Sequence, residues 1–559
     1  MGRRRQVEAD SGSVVDVVVL GGGPAGCSAA LVLGREGHCV LLLTSAGGTR
    51  RGLAESVPPS AGKLFSELGI LERVESAGFF PGTGNTVLWA GDEVRQRPFP
   101  AGTGWQVERR ALEEVLQAAA QEAGVQVRRG ARVQDVRSEA EPGPDGHNGV
   151  RVRFRERTGG WKEVRARLVL DASGRAGVMA TSRGLRKPVA DDLRTTALVG
   201  LWEAEEEVWG LPDEGHTLVE SFTDGWAWSI PVNRRLRYFT AMIDPRLSPP
   251  TKGEGLEGWY EGALGKAREM DSIRKRGRKV GGVWVWGATP YRARAVRGEG
   301  FLLLGDAAVF LDPLTSYGVK KALASGWLGG VVAHTALRDP ARRELAMAFF
   351  QEREEMVTDT YVEGTRRFYR QGLTAYSHPF WETRAEAGAK APTESDAGST
   401  FPSPLEDREW DPTLAAVGPD AQELRSDPEV LQAFHRLREA TRTRFEVGRG
   451  LDWVRGAAVR GGEVVPEWRI RTRRFPGGLR YLRNVDSVRL VRMAPGRSIP
   501  QLLQRYEAAC GPVPLPDFLG TVSVLLAEGV LVNTASGRGG SDGVEARAWI
   551  GAVSGGESS

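Results

Sequence analysis

Residues 14 to 37, VVDVVVLGGGPAGCSAALVLGREG, constrain this chain more than any other stretch: a β-branched run turns through glycines into a small-residue helical pattern. A buried strand, a glycine turn and a helix N-terminus form a socket for a dinucleotide pyrophosphate, because free backbone N–H groups and the helix dipole face the phosphates. Gly21 allows the tight turn, Gly23 leaves phosphate room against bare backbone, and Gly26 lets helix and strand approach. Pro24 and Ala25 fill the turn between them and join the candidate cofactor residues.

Composition narrows the partners. The 559 residues carry 75 basic and 71 acidic side chains, a net charge of +4, too small an excess to argue for nucleic acid. Cys27, Cys39 and Cys510 are widely spaced, with no CxxC or histidine pairing, so neither a metal site nor a disulfide framework is indicated. The arginines at positions 3 to 5 precede a polar stretch, and no apolar run reaches spanning length. The expectation is a cytoplasmic protein with no membrane partner.

The pattern along the chain predicts an α/β fold. A Rossmann-type dinucleotide domain is expected over 14–195 and 292–375, with an antiparallel β-sheet domain inserted over 196–291. A linker at 376–404 and a smaller α+β domain at 405–535 follow, and residues 1–13 and 536–559 are expected to be flexible. KLFSELGILERVESAG (63–78) predicts one helical stretch, and VQVRRGARVQDV (125–136) one strand. NTVLWAGDEVRQRPF (85–99) predicts a hairpin, and Leu198 to Tyr291 mostly strands. RSIPQLLQRYEAACG and PDFLGTVSVLLAEGVLV predict two helices and a short strand.

Three further motifs follow in order. VERRALEEVL places Arg109 at a helix start, ARLVLDASG ends a strand at Asp171, and FLLLGDAAVFLDPLTSYG ends another at Gly305 and Asp306. Asp306 could hold a ribityl or ribose hydroxyl by charged hydrogen bonds. With the Gly21–Gly26 turn, this set resembles the FAD-dependent monooxygenases of the aromatic-hydroxylase type. GWAWSIP, with Trp226 and Trp228, is similar to the WxWxIP signature of flavin-dependent halogenases. Phe310, Pro313, Ser316 and Gly318 match their FxxPxxSxG pattern, and Arg51 to Ser56 is similar to their flavin-proximal R-x-GES turn, with Ala54 replacing the glycine. The resemblance spans about residues 14–375. Thr44 stands where an acid would bind adenosine ribose, a weaker acceptor in the same place.

The resemblance implies FAD and a flavin hydroperoxide, formed with dioxygen, that transfers oxygen to an aromatic carbon. In halogenases a lysine relays hypohalous acid, assisted in tryptophan halogenases by a glutamate. Gly82 or Thr83 aligns with that lysine, Thr315 with that glutamate, and Tyr317 adds bulk at the halide pocket. Lys63 reads as a surface residue. The chamber beside Pro313 and Ser316 is therefore expected to lack an ammonium group. Pro313, Thr315 and Ser316 are the catalytic candidates; Ser316 could also be an N-cap. Trp226 and Trp228 are the substrate candidates, or paired packing on one strand face.

The expected function is hydroxylation of an electron-rich aromatic of the indole or tryptophan type, free or within a peptide. Halogenation and an isoprenoid-type reduction are the alternatives. No second nicotinamide motif occurs, so a separate flavin reductase is implied. SVRLVRMAPGRSIPQLLQRYEAA and the helix after it faintly resemble winged-helix peptide-recognition domains, which leaves an accessory lid and a peptide-binding unit both open.

Overall fold

The computed structural model describes residues 14–45, 52–91, 94–99, 102–142, 148–157, 159–190, 193–205, 209–386, 424, 427–440, 442–482 and 485–535. The chain divides into two compact units, Met1–Glu409 and Trp410–Ser559. Both predicted flexible termini and Arg51 lie outside the described residues, as does most of the expected linker.

The first unit is built on a parallel sheet. Strands Phe301–Leu303, Trp161–Asp171, Val14–Leu20, Val40–Thr44 and Gln126–Arg129 run side by side in that order. Val17, Val18 and Val19 are wholly buried, as a strand covered on both faces requires. The Pro24–Arg35 helix starts at Pro24, whose missing N–H costs nothing in a first helical turn. Asn148–Arg155 pairs antiparallel with Trp161–Asp171, and Arg132–Pro142 pairs antiparallel with Asn148–Arg155 in turn.

A second sheet orders Arg278–Gly287, Thr196–Glu203, Leu236–Ile243, Gly225–Pro231, His216–Phe222, Gly84–Leu88 and Arg95–Pro98. Its two faces do different work. Trp202, Phe222, Phe239 and Tyr260 form one core with the helices Leu256–Leu264 and Arg268–Arg274. Trp226, Tyr238 and Met242 form the other, with Leu314, Phe368, Tyr369, Phe380 and Trp381. That second face brings the Pro313 loop onto an aromatic wall.

Two expectations need correction. The helical stretch 63–78 is two short helices, Gly62–Glu67 and Leu71–Glu75, split at Gly69, which adopts φ +55°. The strand 125–136 breaks at Gly130, φ +77°, and its halves pair with different neighbours. The expected hairpin forms from Gly84–Leu88 and Arg95–Pro98, and it joins the second sheet through parallel pairing of Gly84–Leu88 with His216–Phe222. The stretch 198–291, expected to be mostly strands, also holds two helices, Leu256–Leu264 and Arg268–Arg274.

The second unit has its own core, including Phe445, Ile470, Phe475, Leu502, Tyr506, Phe518 and Leu525. The expected helices are Ile499–Cys510 and Leu515–Ala527, followed by the strand Leu531–Asn533. Ser498 and Gln501 close a reciprocal capping box on the first of them. Among the described residues no single helix is long and apolar enough to cross a membrane.

Candidate active site

The glycine turn opens onto a cavity of about 590 Å³. Gly21, Gly23, Pro24, Ala25, Thr44, Arg109 and Asp306 line it, seven of the predicted cofactor residues. Gly21 adopts φ +108°, and a Cβ there would lie 2.2 Å from the Ala172 carbonyl oxygen. Gly26 lies behind the cavity, where a Cβ would meet the Gly21 carbonyl oxygen at 1.9 Å. These two glycines form a cradle that any side chain would fill, which is the fit test a pyrophosphate site must pass.

Arg109 opens the Arg109–Glu122 helix and is held by Glu55 at 2.9 Å and Glu113 at 3.2 Å. Burial pulls its guanidinium pKa down, but Glu55, Asp306 and Glu113 outweigh that and hold it above the ordinary value. Thr44 stands directly opposite Arg129 in the strand register. Arg129 donates to Gln117 Oε1 at 3.0 Å, and Gln117 donates to the Gly22 carbonyl at 2.9 Å. Two side chains and a backbone carbonyl, from three elements, thus form a hydrogen-bonded chain along this wall of the cavity. Gly174, at the end of the ARLVLDASG motif, lines the cavity too, and Gln117, Arg129 and Ser173 do so without having been singled out in sequence.

Asp171, a cofactor-binding candidate from its place at the strand end, has its carboxylate taken by the turn that follows. Its Oδ1 accepts from the Ser173 N–H at 3.1 Å and hydroxyl at 2.5 Å, and its Oδ2 from the Met179 N–H at 2.7 Å. Fully buried, it shapes the turn that brings Ser173 and Gly174 to the cavity and does not reach the cavity itself.

The Pro313–Thr315 turn is capped by Asp312, whose carboxylate accepts the Leu314 N–H at 3.0 Å. Ser316 closes the turn at φ +53°, a left-handed conformation costing about 1–3 kcal/mol for a residue with a side chain. It does not cap the following Gly318–Arg338 helix, whose N-cap is Tyr317, so the N-cap alternative is excluded. Ser316 and Gly318 are exposed and Pro313 half-buried, while the Thr315 side chain lies outside the described atoms. Asp312 Oδ2 accepts from the Tyr369 hydroxyl at 2.7 Å. Burial raises the Asp312 carboxyl pKa, and burial with the Asp312 charge raises the Tyr369 phenol.

Trp226 is sealed inside the aromatic cluster at 0% exposure, against the expectation of direct substrate contact. Its ring meets Trp228 edge-on at 5.7 Å and Trp89 at 6.4 Å. Trp228, on the same strand face, stays half-buried. Gly82 and Thr83 lie where a relay lysine would align. A Cβ on Gly82 would sit 3.3 Å from Gln106 Nε2, and the Thr83 hydroxyl donates to Asp213 at 2.7 Å. Lys63 is exposed, as expected.

Lys320 and Lys321 both lie buried in the first turn of the Gly318–Arg338 helix. Lys320 donates to the Ser60 hydroxyl at 2.7 Å and lies 5.4 Å from the Tyr317 ring centre. Lys321 donates to the carbonyls of Gly305, at 2.9 Å, and Val309. Two lysines inside an apolar helical pattern read as composition, which is why they were passed over.

A model of the FAD binding domain matches residues 14–362. The chain belongs to the FAD-binding-domain family. This flavoprotein is 29% identical over 348 residues to a tryptophan 2-halogenase of Chondromyces crocatus, covering 61% of the chain and 65% of that relative. It is 27% identical over 387 residues to a flavin-dependent halogenase of Armillaria mellea, covering 65% and 76%. Its fold matches the flavin-dependent halogenase CmlS with TM-score 0.71 at 22% identity, over 94% of this chain and 98% of that one. The peptidyl tryptophan dihydroxylase QhpG matches with TM-score 0.60 at 23% identity, over 92% and 100%. The chain therefore carries a Rossmann-type FAD-binding domain and is similar to flavin-dependent halogenases, spanning 65% of the length of the Chondromyces relative.

Proposed function

We propose that this flavoenzyme hydroxylates an electron-rich aromatic ring of the indole or tryptophan type, free or within a peptide. The observation that carries this reading is the packing at Gly82 and Thr83. Gly82 lies flush against Gln106, which is itself buried and donates to the Gly215 carbonyl at 2.9 Å and the Thr217 hydroxyl at 3.2 Å. Thr83 is spent on Asp213. A side chain at position 82 would press on the Gln106 Nε2, which already makes both of these bonds.

FAD, once reduced by a separate flavin reductase, supplies the activation of dioxygen. Gly21 and Gly23 would receive its pyrophosphate, Asp306 a ribityl or ribose hydroxyl, and Arg109 and Thr44 the remaining polar groups of the cavity. The N-terminus of the Gly318–Arg338 helix favours negative charge on what lies before it. Pro313, Thr315 and Ser316 form the rigid lip between cofactor and substrate, held from below by Asp312 and Tyr369. Trp228 and the aromatic face behind it offer an indole a π-rich, water-poor wall.

Halogenation is the second reading, favoured by the names of the curated relatives and by Lys320, a buried amine beside Tyr317. QhpG, whose name records a peptidyl tryptophan substrate, supports extending either chemistry to peptides. The deciding experiment supplies enzymatically reduced FAD, ¹⁸O₂ and bromide to tryptophan and to tryptophan-containing peptides. Products heavier by labelled oxygen are expected; products carrying bromine would overturn the proposal.

A further inference from the structure

The Gly305–Val309 segment is gripped from behind by the Gly318–Arg338 helix. Lys321, only 5% exposed, donates to the Gly305 and Val309 carbonyls. One turn further on, the Ser325 hydroxyl accepts the Gly305 N–H at 2.9 Å. Both backbone polar groups of Gly305 are thereby taken by side chains of one helix. Gly305 itself is left-handed, φ +57°, and a Cβ there would lie 2.9 Å from Ala25 Cβ, on the wall of the dinucleotide cavity. The next residue, Asp306, lines that cavity, and its carbonyl accepts the Tyr291 hydroxyl at 2.8 Å.

The counter-charge comes from another helix. Glu354, on the Arg343–Ala375 helix, is buried and interacts with Lys321 and Ser325, while its Oε2 has no hydrogen-bond partner. Burying an ammonium and a carboxylate costs several kcal/mol per ion before their attraction repays it. An apolar pair would fill the same space more cheaply. What the apolar pair could not do is hold two backbone carbonyls at fixed positions on either side of Asp306.

We propose that Lys321 is a positioning residue for FAD: through the Gly305–Val309 backbone it sets the Asp306 carboxylate for the cofactor's hydroxyls. The inference rests on the assignment of Asp306 to FAD binding and is independent of whether oxygen or halogen is transferred. Glu354 balances the charge, and Ser325 is the second jaw of the clamp.

A double-mutant cycle on FAD affinity tests it, read by quenching of FAD fluorescence on the full-length apoprotein. The variants are D306A, K321M/E354Q and their combination; removing both ions avoids leaving Glu354 buried alone. D306A and K321M/E354Q are each expected to weaken FAD by about tenfold or more, and the combination no further than the worse of the two. Losses that multiply, or wild-type affinity in K321M/E354Q, would overturn the proposal. Unchanged affinity in D306A would overturn the Asp306 assignment and the proposal with it. If K321M/E354Q does not fold, Ser325→Ala removes only the hydroxyl on the Gly305 N–H and enters the same cycle with D306A. Non-additivity there supports the clamp, and full additivity sinks it.

Discussion

At the scale of single residues, the site departs from its family at positions where a change should have a definite sign. A carboxylate accepts hydroxyl hydrogen bonds more strongly than a threonine does, so Thr44→Glu should tighten FAD binding by about tenfold, measured by fluorescence titration. Gly82→Lys presses on Gln106, whose Nε2 already donates to the Gly215 carbonyl and the Thr217 hydroxyl. It should cost about 1–3 kcal/mol of stability as overpacking does. By thermal unfolding its midpoint should fall, and by product mass no bromination should appear. His38 adds a pH dependence. Its Nε2 lies 2.9 Å from His334 Nδ1, and burial, with His334 and Arg167, holds it below the ordinary value of 6.5 although Asp16 opposes. The folded chain resists a proton that the unfolded chain accepts, so stability falls as pH drops below 6.5. In His38→Asn the decline in unfolding midpoint between about pH 7.5 and 5.5 should be shallower.

At the scale of elements, the cofactor site depends on how closely two helices cross. In the Gly318–Arg338 helix a Cβ on Gly326 would lie 2.1 Å from the Ala25 carbonyl oxygen, and one on Gly330 3.0 Å from that of Ala29. Neither contact can yield without moving the Pro24–Arg35 helix, whose N-terminus faces the pyrophosphate site. Gly326→Ala should therefore lower both stability, by about 1–3 kcal/mol or more, and the FAD content of purified protein by visible absorbance. Much of this architecture was legible in sequence. The strand, glycine turn and helix at 14–35 carry their own periodicity, as do the long amphipathic helix at 109–122 and the paired strands from 148 to 171. The breaks at Gly69 and Gly130 were not, because a lone glycine inside a periodic run marks a left-handed residue only once the chain on both sides is seen to turn. The site divided the same way. Gly21, Gly23, Thr44, Arg109 and Asp306 sit in motifs contiguous in sequence and line the cavity. Gln117 and Arg129 meet Gly22 only through three separate elements, and Lys320 and Lys321 lie inside a run whose other residues are small or apolar. Asp171 sat in the right motif with the wrong task, since its carboxylate is consumed by the turn that follows it.

At the scale of the whole molecule, two compact units with separate cores should unfold separately. Differential scanning calorimetry is expected to show two transitions, with added FAD raising only the one belonging to the first unit, since a ligand stabilises what it binds. A single transition moved as a whole by FAD would contradict this. Within the first unit, the pairing of Gly84–Leu88 with His216–Phe222 ties together stretches more than a hundred residues apart in sequence. Transplanting the aromatic-facing sheet from a relative to change substrate preference thus requires two excised pieces of polypeptide, one on either side of Asp171. A chimera cut only at 196 and 291 would leave a foreign edge strand to find a partner it never evolved beside.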